Sequence, residues 1–227
     1  IEVINVGVNG ATSFDEIRFL KNKLLQLDPD MIFVYDGGND LRYKISDKHI
    51  SDGMWPTETE KISKKIRNYY KTTQMIDYLD RIIQKQVFGD QDRKLAELTE
   101  EKIVKKVELW QERWKKICES QVMSDKQIVI SIQPYLGVGN KDFSNWENRI
   151  KETNSKTDVS DSFPLLIREL DEIEESCTKT LNLTDVFDVY TDTIFYDLIH
   201  VGDRGNEIVA DRIYEEIIPI LNEDIHA

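Results

Sequence analysis

The stretch EVINVGVNGATSFDEIRFLKNKLLQLDPDMIFVYDGGND, residues 2–40, decides the fold. Residues 2–10 form a short β-branched run that ends in asparagine and glycine, which is typical of a buried strand entering a turn. Apolar residues at helical spacing follow, and Ser13 with Glu16 has the pattern of a helix-capping box. Residues 31–40 predict a second buried strand with a glycine-rich loop after it. Strand, helix and strand in this order predict a βαβ unit, and therefore a parallel sheet.

The remainder of the chain continues this pattern after a long, mostly helical insertion from about residue 41 to about residue 125. A third strand is predicted at 126–135 and a short fourth strand at 183–187, and we expect one domain spanning residues 1–227. Amphipathic patterns predict helices at 99–120, 163–177 and 203–221.

Composition excludes some classes of function. The 227 residues carry a net charge of -13 with a pI near 4.8, which disfavours binding to nucleic acids. Cys118 and Cys177 are neither a metal-binding cluster nor a disulfide framework, and the simplest expectation is two buried free thiols. No run of about eighteen apolar residues occurs. The compartment stays open: either extracytoplasmic, with a membrane anchor or export signal before Ile1, or cytoplasmic.

Three loops are predicted at one edge of the sheet. Gly10 ends the first predicted strand, Asn39 follows the second, and Asp197 with His200 precedes the last helix. Parallel sheets bind ligands beyond the carboxyl ends of their strands. A backbone N–H, an amide and a histidine held by a carboxylate can form an oxyanion site and a general base, so the pattern predicts acyl transfer.

Other candidate residues have simpler structural interpretations. Trp110 and Trp114 lie in an apolar stripe at helical spacing, which predicts core packing rather than a ligand platform. Asp36 and Asp40 flank Asn39 and are interpreted as turn-capping carboxylates rather than metal ligands, so we predict neither a metal nor another cofactor.

The segments VINVGVNGATS, VYDGGND and YDLIHVGDRGNEIVADRI resemble three sequence blocks of the SGNH hydrolases, also called GDSL esterases, in the same order. The resemblance implies a flavodoxin-like three-layer α/β/α sandwich with a five-stranded parallel sheet. It also implies that His200 is the general base, that Asp197 orients it, and that Gly10 and Asn39 form most of the oxyanion hole.

The family's nucleophile, the serine of a Gly-Asp-Ser motif that ends the first strand, has no counterpart in this sequence. Ser13 is interpreted as part of the capping box instead. We therefore expect the serine and the first strand to lie before Ile1, and the 227 residues alone to be inactive. Without that strand two buried sheet edges are left unpaired, which a neighbouring chain could cover by strand exchange in a homo-oligomer.

The resulting hypothesis is a serine esterase that cleaves a small-molecule, glycan or lipid O-acyl ester through an acyl-enzyme intermediate. A glycan O-acyltransferase that uses the same triad is one alternative. A non-catalytic, flavodoxin-like binding module is another, with the helical insertion as its partner surface. The insertion could equally be a lid over the substrate cleft.

Overall fold

The computed structural model describes residues 2–8, 10–42 and 99–225. These residues form an α/β fold in which helices flank a parallel sheet of three strands in the order β1-β2-β3. The strands are β1 (Met31–Asp36), β2 (Gln127–Ile132) and β3 (Lys179–Asn182). The predicted fold class is therefore confirmed, although the described residues supply three of the five strands that the family resemblance implied.

Strand β2 is the middle strand, and its sequence explains its position. It pairs with β1 along its whole length, from Gln127 opposite Met31 to Ile132 opposite Asp36. On the other side its last four residues pair with β3. Parallel strands that are covered on both faces are apolar without alternation, and all residues of β2 after the first are buried.

The helices that flank the sheet agree largely with the predicted amphipathic segments. The last predicted helix extends a few residues further than expected, whereas the segment predicted at 163–177 is α-helical only as far as Asp171. In the described ranges the α-helices are α1 (Ser13–Asn22), α2 (Gly38–Arg42), α3 (Glu100–Cys118), α4 (Asn145–Thr153), α5 (Phe163–Asp171) and α6 (Asp203–Ile225).

The predicted strand at residues 2–10 is wrong. Residues 2–8 have no regular structure, and Val3 is 87% exposed. A β-branched run forms a strand only where a partner strand completes its hydrogen bonds, and no described strand pairs with this segment.

The fourth predicted strand is shifted in the structure. It occupies Lys179–Asn182 rather than 183–187. The side chain of Asn182 accepts hydrogen bonds from the backbone N–H and the hydroxyl of Thr184, at 3.1 and 2.8 Å. This local turn uses polar groups that would otherwise extend the strand, so β3 ends at Asn182.

Helix α3 packs against the sheet through the apolar stripe that the sequence predicted. Trp110 and Trp114 are both buried in the hydrophobic core, as expected. Most of the predicted insertion at 41–125 lies outside the described residues, and α3 is the helix described within it. Across the described ranges, none of the helices combines the length and the apolarity needed to cross a membrane.

The expectation of two free thiols is wrong. Cys118 and Cys177 form a disulfide with their Cα atoms 4.9 Å apart. Cys118 is the last residue of α3, and Cys177 lies just before β3, where the backbone of Thr178 bonds to Ile128 near the start of β2. The bond therefore links a helix to the sheet at the amino ends of the strands, a proximity that a sequence separation of 59 could not indicate.

Candidate active site

Asp197 and His200 form a compact turn between Phe195 and Val201, which are paired in an antiparallel bridge. Oδ1 of Asp197 accepts the backbone N–H groups of Ile199 and His200 at 2.7 and 2.8 Å. Oδ2 lies 2.7 Å from Nδ1 of the His200 ring. One carboxylate therefore fixes both the backbone of the loop and the orientation of the imidazole.

The hydrogen bonds to Asp197 favour the ionised form of its carboxyl group. Partial burial by itself would raise the pKa of the Asp197 carboxyl, but hydrogen bonds from His200 and from the N–H of Ile199 outweigh it and lower the pKa below its usual value. A carboxylate that accepts from Nδ1 selects the tautomer in which Nε2 can take up a proton. His200 is 68% exposed, and Nε2 has no hydrogen-bond partner in the described ranges.

The second part of the candidate site is formed by the loops that carry Asn39 and Gly10. Nδ2 of Asn39 donates to the carbonyl oxygen of Ala11 at 2.8 Å, which joins the loop after β1 to the glycine loop. Gly10 has a φ of 68°, so the turn there needs a left-handed conformation that glycine adopts without strain. A primary amide has two N–H groups, and the second one of Asn39 remains able to donate to a ligand.

Asp40 holds these two loops together. Its carboxylate accepts the backbone N–H of Ser13 at 2.7 Å and the Ser13 hydroxyl at 2.6 Å. Arg113 of α3 donates to the Ser13 hydroxyl at 3.0 Å and lies 3.4 Å from Asp40. The predicted capping role of Ser13 is therefore wrong: Thr12 is the N-cap of α1, with Asp15 completing the box.

The Ser13 hydroxyl is 0% exposed and its hydrogen bonds go to Asp40 and Arg113. It is not positioned to attack a substrate at the surface. In the described part of the chain, no serine hydroxyl is hydrogen-bonded to His200.

Asp36 is the last residue of β1 and is buried. Burial is the main cause that raises the pKa of Asp36 well above its usual value, and the nearby charge of Asp40 adds to it. The indole N–H groups of Trp110 and Trp114 donate to Oδ2 of Asp36, at 3.0 and 3.4 Å. Within the described ranges, no group of three or more histidine, cysteine, aspartate or glutamate side chains is arranged to hold a metal ion.

The loop of Asp197 and His200 lies against the loop of Asn39. A methyl group placed on Gly38 would lie 3.5 Å from Cδ1 of Ile199, so the Ile199 side chain reaches the backbone of the Asn39 loop there. The same methyl group would lie 2.5 Å from Nε2 of Gln133, the residue after β2. The structure thus brings the three predicted loops to one edge of the sheet; the catalytic roles of their residues stay predictions.

A further residue, Glu147 of α4, supports the site and is absent from the sequence-based prediction. Its buried carboxylate accepts the backbone N–H groups of Ile194 and Phe195, at 3.0 and 3.1 Å, just before Asp197. It also forms a buried ion pair with Lys141 at 2.9 Å. The sequence S-N-W-E at Ser144 does indicate a capping box, which the structure contains, but nothing local indicates the bonds to the distant loop.

The complete arrangement offers a histidine oriented by a carboxylate, on a loop that contacts the loop of the Asn39 amide, at the carboxyl edge of a parallel sheet. The fold resembles that of an acetyl xylan esterase. The crystal structure of the acetyl xylan esterase AlAXEase superposes with a TM-score of 0.50 at 14% sequence identity, over 96% of this chain and 81% of that chain. At this identity the likeness shows a shared α/β fold and no more. No family model and no curated protein matches the sequence.

Proposed function

We propose that this protein is a serine esterase of the SGNH type. The observation that carries the proposal is the Asp197–His200 pair, bonded at 2.7 Å, on a loop that lies against the Gly38–Asn39 turn. The order of the three sequence blocks and the esterase-like fold support the same activity.

In the proposed reaction Nε2 of His200 takes the proton of a serine hydroxyl as the serine oxygen attacks the ester carbonyl. The negative charge that develops on the carbonyl oxygen is stabilised by the N–H of Gly10 and the free N–H of Asn39. His200 then gives its proton to the departing alcohol, which leaves an acyl-enzyme. Water, deprotonated by the same histidine, releases the acid and restores the serine.

We propose that the nucleophilic serine precedes Ile1. The absence of a serine bonded to His200 in the described ranges and the burial of Ser13 support this proposal. The open side of β1, which pairs with β2 alone among the described strands, is where an additional strand could join the sheet. The 227-residue chain by itself should accordingly show no esterase activity.

For the substrate we propose an ester of a short acyl group on a glycan or a lipid. The structural neighbour is named for acetyl xylan, which is an acylated glycan. We also propose an extracytoplasmic location, because disulfides such as Cys118–Cys177 persist mainly in oxidising compartments.

The test uses the protein extended upstream of Ile1 and a short-chain aryl acetate. We expect hydrolysis by the extended protein and a loss of at least about a thousandfold in kcat for His200→Ala, because the base is removed. His226→Ala, a change of the same residue type near the end of the chain, is the control and should retain full activity. Full activity in His200→Ala would contradict the proposed function.

A further inference from the structure

Gln133 lies at the carboxyl end of the central strand, in the middle of the candidate site. Its backbone N–H donates to the carbonyl oxygen of Asp36 at 3.0 Å, so the pairing of β2 with β1 continues one residue beyond Ile132. Three residues further on, the N–H of Leu136 donates to the carbonyl oxygen of Leu198 at 2.9 Å. The segment that begins with Gln133 therefore touches both the Asn39 loop and the Asp197–His200 loop.

The side chain of Gln133 is buried without satisfying its amide. Gln133 is 7% exposed, and its Nε2 has no hydrogen-bond partner in the described part of the chain. Folded proteins pair nearly all their buried polar groups, since an unpaired donor costs about 1–3 kcal/mol. An unpaired amide that is retained at such a cost points to a role outside folding.

The surroundings of this amide indicate where its partner would lie. Nε2 lies beside Gly38, where a methyl group would approach it to 2.5 Å and Cδ1 of Ile199 to 3.5 Å. The donor thus lies beside the turn that carries Asn39, and the Ile199 side chain of the His200 loop approaches the same glycine. Because Nε2 itself is closed to solvent, a ligand oxygen bound beside these loops would meet it after a rotation of the Gln133 side chain.

We infer that Gln133 is a third hydrogen-bond donor for the substrate, in addition to Gly10 and Asn39, and that its amide binds the carbonyl oxygen of the acyl group as negative charge develops there. This inference rests on the proposed esterase function. It explains why a glutamine with an unpaired amide directly follows the buried strand β2.

The test replaces Gln133 by methionine, which has a similar length and no hydrogen-bond donor. Gln127→Met is the matched control, because Gln127 is the same residue type on the same strand at its opposite end. Both variants are made in the protein extended upstream of Ile1. Hydrolysis of an aryl acetate and the midpoint of urea unfolding are measured for each.

We expect Gln133→Met to lower kcat at least about tenfold with little change in KM, as for the loss of a donor used mainly in the transition state. Its urea midpoint should equal or exceed that of the unmodified protein, because an unpaired buried donor has been removed. Gln127→Met should leave kcat unchanged.

Two results would overturn the inference while the proposed function stands: an unchanged kcat in Gln133→Met, or a lowered urea midpoint, which would show that the amide has a structural role. An extended protein that hydrolyses no ester before any substitution would contradict the proposed function, and the role of Gln133 with it. The two failures are distinguished by the activity of the unmodified protein.

Discussion

At the scale of single residues, the candidate site divides into contacts that are local in sequence and contacts that are not. Asp197 and His200 are three residues apart, so a sequence pattern could predict that the carboxylate holds the ring, and the structure contains that bond. Ser13 is different. Its role is decided by Asp40, 27 residues away, and by Arg113 on α3, so the local capping pattern was misleading.

Gln133 and Glu147 illustrate the same limit. The place of the Gln133 side chain in the candidate site is apparent only from its neighbours Gly38 and Ile199, which lie far from it in the chain. Glu147 reaches the backbone of Ile194, 47 residues away. Periodicity and local motifs carry no information about such contacts, because those contacts depend on how the loops meet after folding.

Glu147 offers a test of how the Asp197–His200 loop is held. Glu147→Gln leaves Lys141 buried without a counter-charge, and we expect the free energy of unfolding to fall by about 3–5 kcal/mol. Esterase activity measured on the folded fraction should also fall, because the bonds that position Ile194 and Phe195 weaken. Glu152→Gln, exposed on the same helix, should change stability by less than about 0.5 kcal/mol. An equally small effect of Glu147→Gln in urea unfolding would contradict this account.

At the scale of elements, the sequence could predict those whose stability comes from their own pattern. The stripe of α3 and the apolar run of β2 both identified buried elements. The segment 2–8 failed because strand formation depends on a partner, and β3 was shifted because a side-chain turn at Asn182 ends it. The boundaries of elements thus depended on contacts that the hydrophobic pattern does not record.

The disulfide between α3 and the start of β3 can be tested through stability. Replacing both Cys118 and Cys177 by alanine should lower the free energy of unfolding by about 2–4 kcal/mol, because the unfolded chain loses a cross-link between distant residues. Activity should persist, since the bond lies at the amino ends of the strands and the candidate site at their carboxyl ends. Titration of the denatured, unreduced protein should detect no free thiol; two free thiols there would show that the bond does not form.

At the scale of the whole molecule, the three elements α1, β1 and α2 each carry a carboxyl group with a raised pKa. Burial, followed by the charges of Asp36 and Asp40, raises the pKa of Glu16 from 4.5 to about 10. Burial also raises the pKa of Asp36 and of Asp40. The chain, with its net charge of -13, therefore places three acids where ionisation is unfavourable.

The free energy of unfolding should consequently decrease as the pH is raised. Between pH 4.5 and about 10 the folded chain retains the Glu16 proton that the unfolded chain releases, so the free energy of unfolding falls as pH rises. The slope for one proton is about 1.4 kcal/mol per pH unit. Glu16→Gln should flatten this dependence in urea unfolding across that range, whereas Glu101→Gln, exposed on α3, should not. Parallel curves for Glu16→Gln and the unmodified protein would refute the assignment.

The central claim is that His200, held by Asp197, activates a serine for attack on an ester. The most direct measurement is the rate and position of labelling by a fluorophosphonate, which reacts with activated serines, in the protein extended upstream of Ile1. We predict a single adduct on a serine that precedes Ile1, formed at least about a hundredfold more slowly in His200→Ala. An adduct on a serine within residues 1–227, or equal labelling rates in the two proteins, would contradict the account.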